Sequence, residues 1–267
     1  MMADRWTRMV RQLVGLGRFL PLGGPYDGAW IAERAASGVL RDAAEREVPE
    51  VRLDGVRIGL ADPGEAAEPA VPAPPSALPP GPLRLTAEFA ATAAWPLPET
   101  ASRLRTALAV TATERIGLDL TEVDLRVTEL LDTVSPASRP GTPETRGGTD
   151  TSGGAGMPGA AESEAARAPG SAGVAGAVGG GPEGERVAAV VLRVPGVSRL
   201  TGVGGLPVRL GEQAPASGDA LPRRHARVDL AVAAGFRPLE VARAVRAAVA
   251  EALPDRPTVA VLVTDLD

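Results

Sequence analysis

Few residues in this chain can do chemistry, and their spacing limits what they can do. The 267 residues include one histidine, His225, in the stretch PRRHAR at 222–227. An imidazole there could act as a general base. No nucleophile or orienting carboxylate stands with it, so it reads as a loop histidine at a strand edge. Glu122 with Asp124, and Asp265 with Asp267, are carboxylate pairs two residues apart. On a strand, that spacing puts both on one side. A metal needs more converging ligands, so each pair reads as a solvated strand end. The arginines of PRRHAR could hold a phosphate or another anion; the plainer reading is an exposed basic loop.

The absences exclude more. Without Cys there is no disulfide, no thiolate nucleophile and no Cys-based zinc site. All 28 basic residues are Arg, which removes Schiff-base chemistry and the phosphate-binding lysine of a P-loop. Asn is absent too, a pattern of GC-rich coding that accounts for much of the Ala, Arg, Gly and Pro. The formal net charge of -5 argues against a nucleic-acid partner. No 18-residue apolar run exists to span a membrane. The N-terminus lacks the pattern of a signal peptide, so a cytoplasmic protein is expected, with membrane association open. We expect no catalytic residues, no cofactor, no metal and no enzyme activity.

The elements that would position these residues follow from periodicity. Residues 1–24 read as a basic amphipathic helix ended by PLGG, with Trp6, Met9, Val10, Leu13 and Val14 in an apolar stripe. Arg5, Arg8 and Arg11 could face an anionic membrane surface, with Trp6 and Phe19 as anchors. The same residues could dock on a protein partner, or the helix could simply pack. A first module spans 25–132. It reads as a helix over 27–47, a strand or hairpin at 51–60, a Pro-rich loop at 61–82, a strand at 83–90, a helix at 97–115 and a strand at 121–130. The loop should be extended, polyproline-like and exposed; its P-x-x-P at Pro69 and Pro72 is read as loop. On the last strand Val123, Leu125 and Val127 should point inward. Residues 133–184, without Ile, Leu or aromatics, read as a disordered Gly/Ala/Pro-rich linker.

The order then restarts in a second module, 185–267. Its strand 226–233 puts Val228, Leu230 and Val232 inward, and its helix from 238 carries Val241, Val245 and Val249 at four-residue spacing. Helix WPLPETASRLRTAL (95–108) matches FRPLEVARAVRAAV (236–249). Glu99 falls on Glu240, Ala101 on Ala242, Arg105 on Arg246 and Leu108 on Val249, and VTELLD (127–132) on VTDLD (263–267). Each half reads helix, strand, strand, helix, strand, an internal repeat. The fold class is therefore α+β, with small sheets carrying helices on one face. The closing strand has Ala260 and Leu262 opposite Val259, Val261 and Val263. An apolar second face needs covering, so the modules should pack on each other or the chain should self-associate.

The phrase P-L-x-E-V-A-x-x-V-R-x-A-V, with the strands ARVDLAVA and TVAVLVTDLD around it, resembles the alkaline-shock (Gls-type general stress) family. The opening LPLGGPYDGAWIAERAA and the loop PPSALPPGPLRL resemble uncharacterised actinobacterial proteins carrying a nucleopolyhedrovirus P-ten family label. The first resemblance implies a non-enzymatic protein of the cell-envelope or general stress response, acting as a scaffold through a protein partner or self-association. The family has no catalytic residues to carry over. The alternative is a small-molecule-binding or regulatory module with a site between the repeats.

Overall fold

The computed structural model describes residues 15–132, 181–202, 205–213 and 223–267. Its described elements are mixed α and β. A short hairpin comes first, β1 (Phe19–Pro21) and β2 (Ala29–Ala32), followed by helix α1 (Glu33–Glu47). Then come β3 (Val51–Leu60), β4 (Leu83–Thr92), α2 (Leu97–Val110) and β5 (Leu120–Leu131). The second half runs α3 (Gly181–Val191), β6 (Val197–Leu200), β7 (Val208–Gln213), β8 (Arg223–Val232), α4 (Pro238–Ala252) and β9 (Thr258–Leu266).

The strands form two sheets. β3, β4 and β5 lie in that order, the first pair antiparallel and the second parallel. In the second half, β6 and β7 lie antiparallel to successive parts of β8, which runs parallel to β9. The interrupted strand β6/β7 thus stands where β3 stands in the first half.

The repeat extends to single contacts. Arg105 Nε donates to the Val123 carbonyl at 3.2 Å, and its counterpart Arg246 Nε donates to Val259 at 3.1 Å. Both closing strands shift register after a matching valine, Val127 and Val263. The threonine that follows bonds back in each case: Thr128 to the Phe89 carbonyl at 3.3 Å, Thr264 to that of Leu230 at 3.2 Å. Shared composition could imitate a helix pattern, but not these bonds.

Alternation on the strands fixes what goes inside. Leu83, Leu85, Ala87 and Phe89 are all buried, as are Val228, Leu230 and Val232. The inner stripes of α2 (Leu104, Leu108) and α4 (Val241, Val245, Val249) meet them as the periodicity predicts. Pro98 sits in the first turn of α2, where its missing N–H costs nothing. α2 runs on into a π turn, Thr111–Ile116, ended by Gly117 at φ 98°. A Cβ on Gly117 would lie 2.5 Å from that of Leu239; the glycine lets the end of α2 meet the start of α4.

Several expectations need correction. The helix expected through residue 20 gives way earlier: Gly15 and Leu16 are helical, Gly17 has φ +72°, and Phe19–Pro21 is strand. The helix expected over 27–47 starts only at Glu33, because Trp30 and Ile31 belong to β2. β2 joins the sheet of the second half, pairing parallel to β9 from Ala29–Val261 to Ile31–Val263. That places part of the expected first module in the other sheet. The loop 61–82 is docked rather than freely exposed. Phe19 N–H donates to the Ser76 carbonyl at 3.2 Å, Leu78 N–H to that of Phe19 at 2.8 Å, and Val71 is buried. A strand edge leaves its N–H and C=O groups unpaired, and the loop supplies partners for β1. α3 begins at Gly181, inside the stretch read as linker; residues 133–180 lie outside the described residues. On β5, Val127 is 39% exposed, since among the described residues little covers the far half of that strand.

The hairpin is tied to α4 by charge. Asp27 Oδ1 accepts from Arg243 Nε at 2.8 Å, and Oδ2 from the Gly24 N–H at 2.8 Å. Arg246 Nη1 donates to the Tyr26 carbonyl at 2.7 Å. Burial pushes the Asp27 carboxyl up, but its bonds from Arg243 and Gly24 prevail and hold it below the usual range. A depressed carboxylate contributes stability above its unfolded pKa, about 3.9, and loses it as pH falls through the folded value. Asp27→Asn should therefore lower the urea midpoint at pH 7, by an amount equivalent to roughly 1 kcal/mol or less. The gap to wild type should shrink below about pH 4; a pH-independent gap would rule out charge as its cause.

Trp30, Ile31, Leu20 and Phe19 are each 1% exposed or less. At roughly 1.5–3 kcal/mol per large apolar side chain, they approach the about 5–15 kcal/mol that stabilises a whole domain. A fragment of residues 181–267 should accordingly show no cooperative unfolding transition as a monomer. A sharp calorimetric transition from a monomeric fragment would contradict this.

Candidate functional site

The side of β8 facing away from the helices carries His225, Arg227 and Asp229 at every second position. Alternation predicts this face to be solvated, with Val228, Leu230 and Val232 inside. The structure covers it. Pro72, Pro74 and Pro75 of the docked loop stand over it, together with Leu262 and Ala260 of β9, and enclose a cavity of about 230 Å³. Arg209 of β7 pairs in register with Arg227 and lines the same space.

Beside this cleft, on the same face of β8, Asp229 is fully buried. Arg227 grips it with two bonds, Nε to Oδ1 at 2.9 Å and Nη2 to Oδ2 at 3.3 Å. Burial raises the Asp229 carboxyl above its ordinary range, while Arg227 and Arg209 pull the other way. His225 Nδ1 lies 2.9 Å from the Thr258 hydroxyl. A hydroxyl beside an imidazole is the start of a nucleophile–base pair. Among the described residues no carboxylate is bonded to His225, and Asp229, on the same face, is held by Arg227. The Thr258 hydroxyl is also within 3.4 Å of the Arg224 carbonyl. The arrangement orients an imidazole without activating it.

The other sequence candidates are paired. Glu122 and Asp124 flank Arg84, with Asp124 3.6 Å from its Nε. Asp265 and Asp267 flank Arg199, with Asp265 at 2.6 Å. Each carboxylate pair is an arginine clasp. Arg224 of the basic cluster pairs with Glu183 at 2.6 Å and Asp255 at 3.1 Å. Among the described residues no three His, Cys, Asp or Glu side chains gather where a metal could bind, and no helix is long and apolar enough to cross a membrane. Arg5, Trp6, Arg8 and Arg11 lie outside the described residues. Phe19, the other expected anchor, is 1% exposed within β1, so its ring is committed to the core and cannot reach a bilayer.

A second cleft, open and about 520 Å³, runs along α2 past Arg103, Thr106 and Arg115. Arg103 is engaged there: it pairs with Glu50, donates to the Glu47 carbonyl at 3.2 Å and lies 5.8 Å over the Trp95 ring. Sequence reasoning missed Asp229 and the proline wall. An aspartate on the polar side of an alternating strand gives no local signal that tertiary packing will bury it.

His225 is the only imidazole, so its titration can be followed directly by NMR. Burial, and then the Arg227 charge, lower its pKa. It should titrate below about 6.5. A fold that favours the neutral imidazole loses stability as pH drops through 6.5 toward the folded value. His225→Gln should flatten that decline; an imidazole titrating at or above 6.5 would refute the burial argument.

Comparison with family models, with curated proteins and with solved structures finds no match to this chain.

Proposed function

We propose that this chain is a non-catalytic interaction protein, a scaffold of the cell-envelope or general stress response. The interaction role rests on one observation. Among the described residues the groups that could do chemistry are taken up by one another, whereas apolar side chains lie open on a strand whose outer edge carries no neighbour. Val127 and Leu130 of β5 are 39% and 61% exposed, and β5 is a sheet edge with no strand beside it among the described residues. Exposed apolar edges of this kind are where other chains add on. The envelope or stress setting rests on the resemblance of the α4 phrase and its flanking strands to the alkaline-shock family.

A second reading has its own support. The cavity under Pro72–Pro75 lies where the first half's loop meets the second half's sheet, as a small-molecule site between the repeats would. Its readout is a ligand-dependent shift of the His225 signal.

The interaction reading is tested on tagged full-length chain. The double variant Val127→Arg/Leu130→Arg should keep the wild-type circular dichroism spectrum. It should lose at least tenfold in recovery of the proteins that co-purify with wild type under cross-linking. Equal recovery by both chains would overturn the proposal.

A further inference from the structure

The repeat provides a comparison within one molecule. With VTELLD on VTDLD, β5 and β9 align so that Val123 falls on Val259, Leu125 on Val261 and Val127 on Val263. On β9 this edge is in use. Val261 N–H donates to the Gly28 carbonyl at 3.0 Å, and β2 lies along Val261–Val263. The corresponding edge of β5 has no strand on it among the described residues. Two other edges are taken up in part from within. On β3, Ile58 N–H donates to Glu33 Oε1 at 3.2 Å and its carbonyl accepts from Arg18 Nη2 at 2.6 Å. β1 takes the Pro-rich loop. β5 is 12 residues long, enough to seat a full partner strand.

We infer that the occupant is a second copy of this chain, its β5 running antiparallel to the first with Leu125 opposite Leu125. The inference rests on the interaction reading and names its partner. By alignment with Val261, the Leu125 N–H points to the open edge. Residues 123, 125 and 127 then present their backbone groups outward, as an antiparallel hydrogen-bonded register requires. This pairing sets Val123 opposite Val127 on the apolar face. On the charged face it sets Asp124 opposite Arg126, twice over by the two-fold axis. Moving the centre to Asp124 or to Arg126 puts that charge opposite itself, which is unfavourable. A slip by a single residue puts the charged face of one strand against the apolar face of the other. The register centred on Leu125 avoids both faults. It also brings the partner's Val123 beside the exposed Val127, and keeps both α2 helices on one face of a joined six-stranded sheet. The Arg105 bond to the Val123 carbonyl survives, because a carbonyl has a second lone pair.

The chain has no cysteine, so introduced thiols report cleanly. In full-length protein, Leu125→Cys should form a covalent dimer on oxidation. Directly opposed residues in this register lie about 5.5 Å apart at Cα, within disulfide range. Val123→Cys places its two thiols four residues out of register, roughly 13 Å apart, and should cross-link at least tenfold less. Leu125→Pro removes the outward N–H and leaves the bonds to β4 in place. By sedimentation velocity in the micromolar range, wild type should be dimeric and Leu125→Pro monomeric. A dimer that persists in Leu125→Pro, or cross-links equally through both cysteines, would place the contact elsewhere and overturn the inference. A monomeric wild type that still loses its protein partners on Val127→Arg/Leu130→Arg would overturn self-pairing alone and leave the interaction reading standing. Equal partner recovery by that variant would remove the interaction reading itself.

Discussion

β9 is apolar on both faces, and the described architecture is arranged around covering it. Val259, Val261 and Val263 turn to the helices; Ala260 and Leu262 turn the other way, and all five are buried. A strand of this kind is stable only with a layer on each side and a neighbour on each edge. The second half supplies the helices and β8. The rest comes from residues more than 150 positions earlier: β2 takes the remaining edge, Trp30 pairs beside Leu262, and the Pro-rich loop closes over the far face. This one requirement explains why residues 19–32 leave helical conformation and why the two halves share a single apolar core.

Its cost is visible on β8. Once that outward face is packed over, Arg227 and Asp229 lose water and must satisfy each other. The two-bonded fork between them is the geometry that a guanidinium provides and an ammonium does not. Arg84 and Arg199 are paired differently, each held between two carboxylates, Arg84 through its Nε alone. These pairings use up acidic pairs that could otherwise bind a metal or serve as acid and base.

The two halves differ most where they match best. Arg105 and Arg246 make the same bond, and Thr128 and Thr264 close the same register shift. Yet β2 covers on β9 the edge that, among the described residues, carries no strand on β5. A repeated unit that cannot bury its own edge needs an addition at each copy. The second copy receives the N-terminal hairpin, and Asp27 with Arg243 fastens it. The first copy presents Val127 and Leu130 instead.

Much of this was legible in the sequence. Alternation set the inward residues of β4 and β8, four-residue spacing set the inner stripe of α4, and matched phrases revealed the repeat. The site was much less legible. His225 was visible as a lone imidazole; the burial of Asp229 and the proline wall were not. Periodicity records which residues could share a face, because that depends only on local backbone geometry. It does not record what will cover the face. Helical spacing of apolar residues therefore suggested a helix across 27–47, where pairing with a distant strand made Ala29–Ala32 extended. Composition made 61–82 a loop, and tertiary packing made it a wall. The sequence by itself determined the α+β elements, the repeat, and the absence of thiol and amine chemistry. Only the tertiary structure decided which faces are dry, which charges must pair and which edge β2 covers, because each depends on partners far away along the chain.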